Sequence, residues 1–126
     1  MSVISKTFKL RVPSSIIYRA LKDRRLERLF PEFFIGVAKN IIINNINKEI
    51  SFRTTTQGSE IEINETFRLK ISENNNTDVE YTTETKGVEE NNLLVQSIVQ
   101  THIANILYSL LMLEIGYING LIEKKK

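Results

Sequence analysis

Alternating apolar and polar residues mark five stretches of the chain with the period of two that is typical of a β-strand with one buried face. In the clearest stretch, 60–71, Ile61, Ile63, Phe67 and Leu69 share one face and polar residues occupy most of the other. The five predicted strands are residues 4–12, 35–44, 48–56, 60–71 and 77–85.

The connections separate these strands into two groups. After the first strand, Pro13 and Pro31 enclose two short predicted helices, for which Ser14 or Ser15 and then Asp23 are the candidate N-caps. The last four strands are joined by short polar links rich in Asn, Gly and Ser. Such links are typical of hairpins, so we expect an antiparallel meander.

After Gly87 the apolar spacing becomes helical, and it predicts one helix from about Glu90 to Glu123. A helix of about 34 residues would be about 50 Å long, which exceeds what a sheet of such strands covers. The sequence therefore predicts a single α+β domain over residues 1–126, in the order β-α-α-β-β-β-β-α. A curved antiparallel sheet would wrap around the long C-terminal helix.

The amino-acid composition argues against several classes of binding partner. The chain has 126 residues, 41% hydrophobic and 25% charged, with a net charge of +2, which argues against a nucleic-acid partner. It has no cysteine and one histidine, so we expect no metal site and no cofactor. The N-terminus alternates apolar and polar residues, unlike a signal peptide, and we expect a cytoplasmic protein.

Residues 103–122 are long enough to span a membrane, but Asn105, Ser109, Glu114 and Asn119 interrupt them. An acidic residue near the centre of a span costs a few kcal/mol. A soluble core helix without stable membrane insertion is the better interpretation.

Several polar residues fall on faces that should be apolar: Glu65, Lys39 and Lys6 on strands, and Glu114 and Gln96 on the long helix. Unpaired charges are not stable in a dry core. Either these residues line a wet cavity, or they pair with one another, as Glu65 with Lys39, or a bulge changes the register. A cavity carboxylate with a raised pKa would suit acid–base chemistry.

His102 lies on the flank of the helix beside Asn105 and Ser109, and no nucleophile-elbow glycines frame a serine, so we assign it no catalytic role. Tyr81 and Tyr117 point inward by register and could donate a hydrogen bond to a ligand. A basic cluster on the short helices is interpreted as a solvated face: Arg19, Lys22, Arg24, Arg25 and Arg28.

The order of elements, with the segments Phe8–Ser15, Leu21–Asp23 and Leu29–Pro31 and the closing amphipathic helix, resembles the START-like or Bet v 1-like (SRPBCC) helix-grip superfamily across nearly the whole chain. The Asn- and Ile-rich composition is similar to that of small, uncharacterised archaeal members. The resemblance implies a cavity between sheet and helix for lipids, sterols or polyketides. The family usually has six strands after the paired helices, and this chain has four, so the resemblance leaves the size of the cavity open.

The first hypothesis is therefore a binder or carrier of a small apolar, lipid- or polyketide-like ligand. Its predicted walls are Phe8, Ile41, Phe52, Phe67, Val99, Ile103 and Leu110, and its predicted polar contacts are Glu65, Glu114, Lys39, Gln96 and Tyr81. The second is a cyclase- or hydrolase-type enzyme with Glu65 or Glu114 as acid or base. The third is a homodimer through the outer side of the long helix, where Leu94, Ile98, Met112 and Ile115 lie.

Overall fold

The computed structural model describes residues 2–34, 37–45, 49–56, 61–86 and 93–120. The backbone alone is described at Ser2, Val37–Asn45, Thr56, Leu94 and Val95. The predicted wall residue Ile41, the predicted polar contact Lys39 and the outer-face residue Leu94 therefore have no described side chain.

In the described residues, five strands and three α-helices follow the predicted order β-α-α-β-β-β-β-α, which confirms the α+β helix-grip architecture. They are β1 (Ser2–Leu10), α1 (Ser14–Lys22), α2 (Arg25–Leu29), β2 (Val37–Asn45), β3 (Glu49–Thr56), β4 (Glu62–Ile71), β5 (Thr77–Lys86) and α3 (Leu93–Ile118). Short 3-10 helices at Pro31–Phe34 and Glu73–Asn75 complete the described elements.

The strands form one antiparallel sheet in the order β1-β5-β4-β3-β2. The strands β2 to β5 pair in sequence, as their short links predict, and β1 pairs with β5 at the far edge. The registers place Phe52 opposite Glu65 and Phe67 opposite Tyr81. These pairings bring the inward side chains of three strands into one row.

One face of the sheet is buried because its strands alternate strictly. On β5 every second residue from Thr77 to Thr85 is buried, and on β4 Ile63, Phe67 and Leu69 are likewise buried. Helix α1 packs beside β3 and β4 and buries Ile17 and Leu21. Each large apolar side chain removed from water contributes roughly 1.5–3 kcal/mol.

The long helix α3 turns one side toward this face. Its buried apolar residues recur at helical spacing, and they are Val99, Ile103, Ile106, Leu110 and Leu113. The prediction that the helix continues to Glu123 was wrong, since α3 ends at Ile118. The N–H of Asn119 donates to the Ile115 carbonyl at 3.0 Å, and Gly120 follows with a φ of +74°.

The end of α3 is fixed by this left-handed residue, a conformation that costs a side-chain-bearing residue about 1–2 kcal/mol. We expect Gly120→Ala to lower the free energy of unfolding by about 1 kcal/mol, although the added Cβ would meet nothing within 4 Å. Gly120→Asn is the matched control and should cost less, because asparagine tolerates this conformation better. Urea unfolding measures both, and an alanine variant as stable as the wild type would contradict this account.

Candidate functional site

A carboxyl group lies in the middle of the apolar layer between the sheet and α3. Glu65 is on β4 between the inward positions of Ile63 and Phe67, and it is 0% exposed. The period of two forces this placement, because a strand that buries Ile63 and Phe67 must also turn residue 65 inward. The predicted inward position of Glu65 is therefore where the structure places it.

Neighbouring strands on both sides donate hydrogen bonds to this carboxylate. The Tyr81 hydroxyl on β5 donates to Glu65 Oε1 at 2.5 Å, and the Thr54 hydroxyl on β3 donates to Oε2. Tyr81 and Thr54 are 1% and 0% exposed, so water does not compete for these bonds. Hydrogen bonds to charged groups are stronger than neutral ones, at about 1.5–3 kcal/mol each.

The helix supplies a third neighbour. His102 of α3 is 3% exposed, and its Nε2 lies 3.0 Å from Glu65 Oε1. This distance is short enough for an ion pair, but the geometry does not satisfy the criteria for a hydrogen bond. Among the described residues, neither ring nitrogen of His102 has a hydrogen-bond partner. The Thr83 hydroxyl, on the residue opposite Glu65 in β5, is also buried without one.

We define Thr54, Glu65, Tyr81, Thr83 and His102 as the core polar cluster. Burial raises the pKa of Tyr81 well above its ordinary 10.0, and the Glu65 charge and its hydrogen bond raise it further. The phenol therefore stays protonated and donates across the physiological range. The cluster thus contains a fixed donor (Tyr81) and a carboxylate (Glu65). It also contains an imidazole (His102) and a hydroxyl (Thr83) that can still form hydrogen bonds.

Most of the predicted wall residues surround this cluster and cover one another. Phe52 and Phe67 pack edge to face with centroids 6.0 Å apart, and Phe67 lies 4.7 Å from the Tyr81 ring. Phe52, Phe67, Val99, Ile103 and Leu110 are all 5% exposed or less. A ligand in this layer would have to displace these side chains, so the cavity stays a prediction.

Other predicted contacts lie apart from the cluster. Glu114 accepts hydrogen bonds from the Arg11 backbone N–H at 2.8 Å and from Arg11 Nε at 3.2 Å. This ion pair ties α3 to the segment after β1 and matches the structural alternative raised for such residues. Gln96 is exposed, contrary to its predicted inward direction, because it lies at the rim of the buried arc of α3 near the start of the helix.

Three further residues that the sequence analysis singled out lie on strands at or near the edges of the sheet. Lys39 lies opposite Thr54 in the β2–β3 register, and its side chain is outside the described part of the chain. Phe8 is partly buried against the core, and Lys6 on the edge strand is exposed.

Sequence reasoning missed three members of the cluster. Thr54 and Thr83 share faces with Phe52 and Tyr81, so the alternation already placed them inward. His102 is adjacent to Ile103 and three residues from Val99, within the buried arc, although the pattern placed it on the flank. The described residues contain no group of three His, Asp or Glu side chains placed to hold a metal.

The opposite face of the sheet is polar. It has an open depression of about 340 Å³ lined by Glu49, Ser51, Thr66, Arg68, Glu80 and Thr82. Arg68 donates to Glu49 at 2.7 Å and to Glu80 at 3.1 Å, so the carboxylates already neutralise it. These surface pairs do not resemble a site for an apolar ligand.

Solved structures share this helix-grip architecture, and they include a protein of the START superfamily. The fold is similar to that of a START superfamily protein from Mycobacterium smegmatis, with a TM-score of 0.67, 10% identity, and coverage of 95% of this chain and 99% of that one. An HSP90 activator from Plasmodium falciparum gives a TM-score of 0.68 at 12% identity over 95% and 97% of the two chains.

The Aha1 dimer from Colwellia psychrerythraea gives a TM-score of 0.64 at 18% identity and covers 92% of this chain and 98% of its own. No protein-family model and no curated protein matches the sequence. These similarities define the fold. They assign no residue a role.

Within this fold one side of α3 packs in the core against the sheet. Residues Gln96–Ile118 are long and apolar enough to cross a membrane by length and composition. The buried side of the helix, however, carries His102 and Glu114 toward polar partners in the sheet and the Arg11 segment.

The raised pKa of Tyr81 predicts a loss of stability in alkali. Its folded pKa exceeds the unfolded value, so its contribution is complete below about pH 10 and is lost as the pH rises toward the folded pKa. Above about pH 10 the free energy of unfolding should fall by up to about 1.4 kcal/mol per pH unit more in the wild type than in Tyr81→Phe. Tyr108→Phe, at a residue 59% exposed, should keep the wild-type slope in urea unfolding. Equal slopes for wild type and Tyr81→Phe would contradict the assignment.

Proposed function

We propose that this protein is a cytoplasmic binder or carrier of a small, mainly apolar molecule whose polar group is held by the core polar cluster. The observation that carries the proposal is the unused bonding capacity of Thr83 Oγ1 and His102 Nδ1 inside the apolar layer, among the described residues. A ligand hydroxyl, carbonyl or amine would supply the missing partner.

The free-energy cost of burying polar groups without partners favours a site that a ligand completes. A buried polar group without a partner costs about 1–3 kcal/mol, and an apolar residue of similar shape would avoid the cost. Two such groups lie within the same cluster as a carboxylate, and the register puts Thr83 directly opposite Glu65. Most buried polar groups in native proteins have a hydrogen-bond partner, so each of these two groups needs an explanation.

The apolar part of the ligand would replace side-chain contacts around the cluster. Phe52, Phe67 and Ile103 would contact it from the sheet and from α3, as expected for a site that is mostly apolar with a few placed polar groups. Because these side chains now cover one another, binding would require the layer between sheet and helix to widen. A lipid- or polyketide-like chain fits this description.

Fold similarity supports binding in general and leaves the ligand open. One similar structure is described as an HSP90 activator and another as a START superfamily protein. A shared fold hosts different functions, so the proposal depends on the cluster.

Native mass spectrometry before and after organic-solvent extraction tests the proposal. We expect an added mass on the wild-type protein that the solvent removes and that a total lipid extract of the expression host restores. Glu65→Gln should bind at least about tenfold less, because it removes the charge that the cluster is arranged around.

The matched control is Glu62→Gln, which makes the same chemical change on the outward face of the same strand. It should retain the added mass. A wild type that never carries an added mass, or equal losses in both variants, would overturn the proposal. Circular dichroism shows whether each variant is folded.

A second candidate function is acid–base catalysis by Glu65 with His102. The distance of 3.0 Å between Glu65 Oε1 and His102 Nε2 would allow a proton to pass between the two side chains and a substrate. Glu114 no longer supports this function, because Arg11 pairs with it.

Mass spectrometry of the released ligand distinguishes catalysis from carriage. For a carrier, the extracted compound returns unchanged after incubation with fresh protein. For an enzyme, its mass or retention time changes with wild type and stays constant with Glu65→Gln or His102→Gln. Conversion that persists in both variants would exclude this pair as the catalytic groups.

A further inference from the structure

The outer side of α3 carries an apolar stripe in its C-terminal half. Its members recur at helical spacing and are Tyr108 (59% exposed), Leu111 (44%), Met112 (46%), Ile115 (50%) and Ile118 (42%). We call this set the outer stripe. It is distinct from the core polar cluster, which lies on the opposite side of the same helix.

The exposed side of α3 is also free of charge. Apart from its tyrosines, the ionisable residues of α3 are His102 and Glu114, and they are 3% and 9% exposed. The rest of the exposed side, including Gln96, Ser97, Gln100 and Thr101, is neutral. In a chain with 25% charged residues this depletion is the composition of a protein interface core.

We infer that the outer stripe is the contact surface of a homodimer, in which α3 packs against α3 of a second copy in antiparallel orientation. A two-fold axis beside Leu111 and Met112 would place Tyr108 of each copy against Ile115 of the other. Ile118 would then lie near the other Ala104, whose small side chain leaves room. The stripe is thus self-complementary, as a two-fold interface requires.

The size of the stripe suits a weak dimer. With about 200 Å² for a fully exposed large side chain, the five residues offer roughly 400–500 Å² per copy. A stable interface buries about 800 Å² per partner, so the outer stripe alone supplies a little more than half of that area. We therefore expect a dimer that forms with rising concentration.

A membrane surface is the competing occupant, and the composition of α3 disfavours it. Helices that lie on membranes carry Lys and Arg along their polar side. Helix α3 contains no Lys or Arg, and its exposed polar positions, in its N-terminal half, are glutamine, serine and threonine.

Sedimentation velocity from about 1 µM to about 1 mM tests the inference, since this range spans moderate to weak association. The wild type should shift from monomer to dimer. Ile115→Glu should weaken dimerisation at least tenfold, because two carboxylates would be buried near the axis. Gln100→Glu adds the same charge to the same side of α3 outside the stripe, and it should leave the dimer intact.

Cross-linking gives a second test that does not depend on a disruptive variant. The chain has no cysteine, so Leu111→Cys introduces a single thiol beside the proposed axis. A short bis-maleimide should link Leu111→Cys into covalent dimers and should link Gln100→Cys far less. A wild type that stays monomeric at about 1 mM would overturn the inference, as would equal cross-linking at both sites. A monomer that co-sediments with phosphatidylserine vesicles, and loses that binding in Ile115→Glu, would overturn it in favour of a membrane surface.

Discussion

The structure depends on placing one carboxylate, that of Glu65, where water cannot reach it. Moving such a group out of water costs several kcal/mol, and only well-placed partners can offset that cost. The sheet provides them from both neighbouring strands, through Thr54 on β3 and Tyr81 on β5. These bonds exist in one strand register alone. A slip of β4 by one residue would turn Glu65 outward and bury Thr66 and Arg68 instead.

The inner and outer sides of helix α3 have different contacts and compositions. Its inner side brings His102 to within 3.0 Å of Glu65 and anchors Glu114 on the Arg11 segment, so polar contacts as well as apolar packing fix its position over the sheet. Its outer side has no charge and, in its C-terminal half, large apolar residues. A second copy bound at the outer stripe would therefore contact the same helix that has to move when a ligand enters the layer between sheet and helix.

The sequence predicted the architecture well because alternation and helical spacing are local signals. The inward position of Glu65 followed from Ile63 and Phe67, and the buried direction of Glu114 followed from the helix wheel. Partners could not be predicted in the same way. Arg11 is 103 residues from Glu114, and Tyr81 and His102 reach Glu65 only once the strand pairing is set. The end of α3 was missed although Asn119-Gly120 is a common C-terminal signal, because the apolar spacing continues through Leu121.

A buried polar network can fix a strand register without any further role, so the presence of Glu65 in the core does not by itself indicate a ligand. What separates the two roles is how completely the network is satisfied. A network selected for register alone gains most when every polar atom has a partner. Here the Tyr81 and Thr54 hydroxyls both donate to Glu65, whereas Thr83 and His102 in the same cluster retain atoms without a hydrogen-bond partner among the described residues. Those atoms lie on the two elements, β5 and α3, between which a molecule would have to fit, and they are the part of the cluster that register alone does not explain.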